Sequence, residues 1–260
     1  MSGGVALVAA APRDVAIRIG VAMTLLQLGI GTVNDLVDAP ADAGRKPGKP
    51  IPAGLVARPS ARAAAAILFA TGLVLAATLG PPMVALSAVV AAIGLAYDLR
   101  LKGTAWSWLP FAVGIPILPV YGWLGATGGL DPAFLVLVPA AAVAGAALAI
   151  GNALVDVERD IAAGRTSVAA RLGPRPAAVI AAVLLAGVAV AAAGSAALDG
   201  VSGSALGLIV ANGLVPVAAS LTTIPLAGGG RSPVARERAW RIEAVGLAVL
   251  AGAWVRAVLA

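Results

Sequence analysis

Two acidic clusters with the same spacing interrupt an otherwise apolar chain. The first runs Asn34-Asp35-Leu36-Val37-Asp38-Ala39-Pro40-Ala41-Asp42, the second Asn152-Ala153-Leu154-Val155-Asp156-Val157-Glu158-Arg159-Asp160. Both read N-x3-D-x3-D, and a Gly-Arg pair follows each (Gly44-Arg45, Gly164-Arg165). A step of four residues returns to the same face of a helix. Asn34, Asp38 and Asp42 therefore share one face, and Asn152, Asp156 and Asp160 share another. Asp35 stands beside Asn34, about 100° around the helix. Carboxylates at the end of an apolar span cost free energy and are seldom placed there without a role. Two such faces, meeting, would make a pocket of hard oxygen ligands.

The first cluster leads into Arg45-Lys46-Pro47-Gly48-Lys49-Pro50-Ile51-Pro52. Carboxylates followed by cations suit a metal-bridged polyphosphate, in which the metal joins carboxylate to phosphate and the cations neutralise the rest. The plainer alternative is a solvated basic loop with its counterions. Pro40 lacks an N–H and disfavours helical geometry at Ala39. It is expected to end or kink the helix, which makes Asp42 the weakest ligand of its set. In the second cluster Glu158 and Arg159 point away from the acidic face and are expected to pair with each other in solvent. A third element, Tyr97-Asp98-Leu99-Arg100-Leu101-Lys102, closes an apolar span. A phenol and an ammonium could donate to a leaving diphosphate; an interfacial Tyr with a snorkelling Lys is the alternative.

The elements that must position these residues are apolar. The chain is 60% hydrophobic and 12% charged, with a mean hydropathy of +0.99, which excludes a soluble domain. Cysteine and histidine are both absent, so disulfides and thiolate or imidazole metal sites are excluded, and any metal must be held by oxygen. Runs of about 20 apolar residues, enough to span a membrane, fall at 15–37, 61–79, 82–99, 105–126, 133–155, 176–198, 203–226 and 240–259. The expected fold is thus all-α: a polytopic transmembrane helix bundle of eight spans, forming a single domain over 1–260.

Loops alternate between charged segments (38–62, 98–104, 156–175, 227–241) and short, nearly uncharged turns. Of the 18 Lys and Arg, only Arg13, Arg18 and Arg256 fall outside the charged side. The positive-inside rule makes that side, which carries both acidic clusters, cytoplasmic. The net charge of +6 then reflects basic loops, and no nucleic-acid partner is expected. Residues 1–12 lack the basic start of a signal peptide. Trp106, Trp108 and Trp240 at one set of span ends, and Tyr121, Trp123 and Trp254 at the other, are expected to form interfacial belts. The Ala-rich stretches Ala140–Ala149 and Ala181–Ala197 permit close helix packing in lipid.

At these residues the chain resembles the UbiA superfamily of intramembrane prenyltransferases. Asn34, Asp35, Asp38 and Asp42 match that family's N-D-x2-D-x3-D motif. Asp156 and Asp160 match its D-x3-D motif, and Tyr97 with Lys102 its Y-x4-K element. Lys49-Pro50-Ile51-Pro52-Ala53-Gly54 looks like its basic-Pro-x-Pro-x-Gly segment, with Lys where Arg is common. Gly164-Arg165-Thr166 through Arg171-Leu172-Gly173 looks like the tail of the second motif.

The resemblance implies an enzyme that moves a prenyl group from an allylic prenyl diphosphate to a lipophilic or aromatic acceptor within membrane lipid. It implies Mg²⁺ as cofactor, on Asp35, Asp38, Asp42, Asp156 and Asp160. Asn34, Arg45, Lys49, Asn152 and Arg165 would bind diphosphate, and Tyr97 and Lys102 would act catalytically on the leaving group. A small aromatic quinone precursor such as 4-hydroxybenzoate is the expected acceptor. A glycerol-phosphate lipid or sugar phosphate is the alternative, as is a membrane terpene cyclase of the same fold. The family norm is nine spans; here the first is expected to be missing or truncated, since only Val5–Ala11 is apolar before Asp14.

Rival readings fit less well. No D-G-x2-A-R opening of a CDP-alcohol phosphatidyltransferase is present. A cation transporter would place its charges near mid-membrane, whereas both clusters fall at span ends. The repeated motif is compatible with an ancient duplication.

Overall fold

The computed structural model describes residues 1–44, 48–225 and 232–259. Among these the fold is all-α. Its helices are α1 (Ser2–Val8), α2 (Arg13–Asp42), α3 (Arg58–Ala77), α4 (Pro81–Ala96), α5 (Leu109–Thr127), α6 (Phe134–Val155), α7 (Val157–Ala162), α8 (Val168–Leu172), α9 (Pro174–Leu198), α10 (Gly203–Leu221) and α11 (Pro233–Leu259), with a π-turn, Tyr97–Leu101, after α4. Eight of the described helices are long and apolar enough to cross a membrane, the number expected from hydropathy. The protein is a multi-pass membrane protein.

The chain divides into two compact units. One comprises Ser2–Arg100 and Tyr121–Gly128. Here α2 packs on α1, α3 and α4, and α3 on α4. Glycines set the approach: a Cβ on Gly72 would lie 3.1 Å from Leu26. Such close contact of small residues is how helices associate where lipid removes the hydrophobic drive. Tyr121 corrects an expectation. It is fully buried, and its hydroxyl shares a 3.0 Å hydrogen bond with Ser87 Oγ. A buried phenol needs a polar partner, and Ser87 supplies one inside the unit.

The other unit comprises Met1, Leu101–Val120 and Gly129–Ala260. Its long helices form a closed ring in which α6 packs on α9, α9 on α10, α10 on α11 and α11 back on α6. Ile150 and Leu154 of α6 share one buried cluster with Ala177, Ala178 and Ala181 of α9, and Ala144 and Ala147 of α6 are buried as well. Trp254, expected at an interface, is also buried, with Nε1 donating to Ser195 Oγ at 3.0 Å.

Candidate active site

The first motif lies at the C-terminal end of α2. Of the two outcomes expected at Pro40, an end or a kink, the first does not occur: the helix continues to Asp42. Proline removes the donor that would satisfy the carbonyl one turn earlier, here that of Leu36. Arg58 Nη2 donates to that carbonyl at 3.3 Å. With the carbonyl satisfied from outside, the helix can run through the proline and carry Asp42 into a buried position.

Lys49 pairs with Asp35 Oδ1. Burial pushes the Lys49 ammonium down, but the Asp35 hydrogen bond and the charges of Asp35, Asp42 and Asp38 outweigh it and hold it above its ordinary value. Lys49 is thus paired with Asp35 and feels the charge of all three carboxylates of its own motif. Asn34 Nδ2 donates to Asp98 Oδ1 at 2.7 Å, which ties the motif to the buried Asp98 of the π-turn. Tyr97 opens that turn, in the same unit. Arg45 lies outside the described residues.

The second motif also departs from the expected continuous helix. α6 stops at Val155, Asp156 takes φ −109° and ψ 11°, and α7 starts at Val157. In an unbroken helix the Leu154 carbonyl would accept the Glu158 N–H. It accepts instead from Nη1 of the buried Arg236 at 2.5 Å. The second guanidinium nitrogen of Arg236 binds Glu158. The expected Glu158–Arg159 pair is therefore not what forms. Glu158 goes to Arg236, and Arg159 turns back to Asp156 at 2.9 Å. Burial pushes the Glu158 carboxyl up, while the Arg236 hydrogen bond, its own backbone and the Arg236 charge outweigh it and hold it below the ordinary range.

The Asp160 N–H still bonds the Asp156 carbonyl at 2.9 Å, so the two acids stay one turn apart across the break. Gly164, at φ 66°, closes α7. Its N–H meets the Ile161 carbonyl at 3.1 Å and the Arg165 N–H meets the Asp160 carbonyl at 2.8 Å. This double closure needs the left-handed conformation that glycine adopts without strain. It also returns the Arg165 guanidinium to within 3.5 Å of the buried Asp160. The Thr166 N–H bonds the Gly103 carbonyl at 3.1 Å, so the loop holding Lys102 is joined to the tail of this motif. Asn152 is half-buried, one turn before Asp156.

Two residues escaped the sequence reading. Arg236 looked like one more cation of a basic loop; that it is buried is a tertiary fact. Glu243 is 1% exposed on α11. Among the described residues its Oε2 has no hydrogen-bond partner, and Ser220 Oγ lies beside the carboxyl without meeting hydrogen-bond geometry. A Cβ on Gly151 would lie 2.7 Å from that oxygen, so glycine there gives the carboxyl its room. An acid inside an apolar span was a usable signal. An open pocket of about 390 Å³, lined by Asp131, Leu137, Ser195, Asp199 and Trp254, holds no residue of either motif.

Among the described residues no three acids converge into a ready-made cation cage. Mg²⁺ does not need one, because it takes one or two carboxylates and completes its shell with water and substrate phosphate. The all-oxygen donor set suits that ion. Each of Asp35, Asp156 and Asp160 already faces a positive charge, as groups that serve a cation would.

The family model of the UbiA prenyltransferase family matches residues 1–227. The chain belongs to that family. The prenyltransferase class expected from the motifs is thus borne out at the level of the family. A digeranylgeranylglyceryl phosphate synthase from Methanoregula boonei is 34% identical over 168 residues, covering 62% of this chain and 58% of that protein. The matched segment thus spans little more than half of that relative. Among solved structures, the apo UbiA homolog from Aeropyrum pernix K1 superposes with a TM-score of 0.75 at 19% identity, covering 96% of this chain and 93% of that one. The Archaeoglobus fulgidus UbiA homolog bound to DMAPP and Mg²⁺ gives 0.70 at 19% identity, covering 96% and 92%. At such identities the likeness is one of fold.

Proposed function

We propose that this protein transfers an allylic prenyl group from a prenyl diphosphate to the hydroxyl of a glycerol-phosphate lipid, with Mg²⁺ as cofactor. The sequence alone pointed to an aromatic quinone precursor. The name of the Methanoregula relative, a digeranylgeranylglyceryl phosphate synthase, favours the lipid acceptor instead. The observation that carries the prenyl-transfer reading is the complete N-D-x2-D-x3-D motif at the end of a membrane-spanning helix, with Lys49 paired to its Asp35.

In this reading the acids of both motifs would hold about two Mg²⁺ ions, with Asp35, Asp38 and Asp42 contributed by the first motif and Asp156 and Asp160 by the second. Bound Mg²⁺ would supply Lewis-acid neutralisation of the diphosphate. Lys49 and Arg165 turn from carboxylate to phosphate oxygens, and Arg45, Asn34 and Asn152 complete the diphosphate contacts. Tyr97 and Lys102 donate to the leaving group as charge develops on it. The allylic C–O bond breaks, diphosphate departs, and the acceptor hydroxyl oxygen forms the new ether bond with loss of its proton. Apolar helices keep water from the allylic cation. The excess of Lys and Arg in the loops bearing both motifs supports a site facing the cytoplasm.

The test is diphosphate release by the purified protein from geranylgeranyl diphosphate, with glycerol-phosphate lipids or aromatic acids as acceptors, with and without Mg²⁺. Release that needs both Mg²⁺ and the lipid is the expected result, abolished by EDTA and restored by added Mg²⁺. Release only with aromatic acids would return the acceptor to the quinone class. Release without acceptor would make the protein a cyclase or hydrolase. No release, together with cation flux in liposomes that ignores prenyl diphosphate, would make it a transporter.

A further inference from the structure

Leu36 and Leu154 occupy the same place in the two motifs, two residues after the asparagine and two before the first shared aspartate. In each motif that leucine's carbonyl lacks its usual helical donor. At Leu36 the cause is Pro40; at Leu154 it is the break at Asp156. In each case an arginine from another helix supplies the donor: Arg58, the first residue of α3, and Arg236, near the start of α11. The family motifs contain neither arginine. The two sit in non-equivalent helices, so the likeness is one of physical solution and not of chain order.

We propose that Arg236 and Arg58 are positioning residues, each fixing the backbone of one acidic motif by donating to this freed carbonyl. Arg236 is the stronger clamp. It is buried and uses both arms of its fork, one on Leu154 at the end of α6 and one on Glu158 in α7. It thus spans the break on which Asp156 stands and sets the angle at which α7 presents Asp160. A lysine carries the charge but not the planar fork, so it cannot hold both sides in one geometry. Arg58 has a single bond to hold, and the helix there is continuous.

This inference rests on the reading that Asp156 and Asp160 serve the prenyl diphosphate, and two measurements separate them. The first is hydrogen exchange of residues 155–163 in full-length, substrate-free protein. Arg236→Gln is expected to speed exchange in α7 about tenfold, the loss of one charge-assisted hydrogen bond, with a smaller gain for Arg236→Lys. The second is the Mg²⁺ concentration for half-maximal diphosphate release. Removing a group that orients metal ligands is expected to raise it about ten- to a hundredfold, with kcat at saturating Mg²⁺ changing less and Arg236→Lys recovering part of the loss. Unchanged α7 exchange in Arg236→Gln overturns the clamp. If that variant does not fold, Glu158→Gln decides, because Glu158 is exposed at the surface: faster α7 exchange supports the clamp and unchanged exchange overturns it. Faster exchange in a protein that never releases diphosphate keeps the clamp and removes the proposed function.

Discussion

The first motif contains a proline and its helix does not break; the second contains none and its helix does. Local rules predict the reverse. The difference lies in what surrounds each backbone. Around Pro40 a single outside donor, Arg58, satisfies the one carbonyl that proline orphans, and the rest of the turn stays helical. Around Asp156 a buried two-armed donor takes the Leu154 carbonyl and also pulls on Glu158, and the helix yields. In an apolar setting a carbonyl freed from the helical ladder has to find another donor; both motifs have one, and a breaker residue alone does not decide whether the helix breaks.

The largest expected effects test whether the two regions do the same work. Asp38→Asn and Asp156→Asn should each cut diphosphate release to near background while leaving the melting temperature unchanged. Near-normal turnover in either would remove that motif from the site. Lys102→Ala should slow turnover by less, and an unchanged rate would return Lys102 to a snorkelling role.

The next test sharpens the contrast in backbone. Arg58→Gln should cost about 1 kcal/mol of stability by orphaning the Leu36 carbonyl. Pro40→Ala restores the missing N–H, so in that background Arg58→Gln should cost almost nothing. Thermal unfolding of the four proteins reads the coupling; equal costs in both backgrounds would detach Arg58 from the proline.

Gly151→Ala places a methyl 2.7 Å from Glu243 Oε2 and should destabilise by about 1–3 kcal/mol through overpacking. A neutral result would mean the carboxyl swings away freely.

The smallest effect concerns pH. The Glu158 carboxyl is held below its ordinary range in the folded protein. Its contribution is therefore present above the ordinary carboxylate pKa and lost as pH falls through the lowered value. Wild type should lose more melting temperature than Glu158→Gln on acidification. Parallel curves would show the Arg236 pair to be worth little.

Much of the candidate site could be proposed from the sequence because its chemistry is rare in this chain. With so few acids among so many apolar residues, the positions of Asp35, Asp38, Asp156 and Asp160 declared themselves, and eight hydropathic spans found their eight helices. The partners of those acids were less legible. Nothing in the spacing says that Lys49 pairs with Asp35; Glu158 was assigned to Arg159, yet it meets a residue 78 positions away. Tyr121 and Trp254 were read as interfacial from their place in a span, but which side of a helix faces lipid depends on its neighbours.

The sequence by itself determined the class of fold, the spans and the hard-oxygen character of the candidate site, because hydropathy, spacing and residue type are local and additive. Only the tertiary structure decided where the motif helices bend, which cations reach which acids, and that Arg236 and Glu243 are buried. Those outcomes depend on donors and acceptors delivered by helices far away in the chain, and no local pattern records which carbonyl a distant guanidinium will meet.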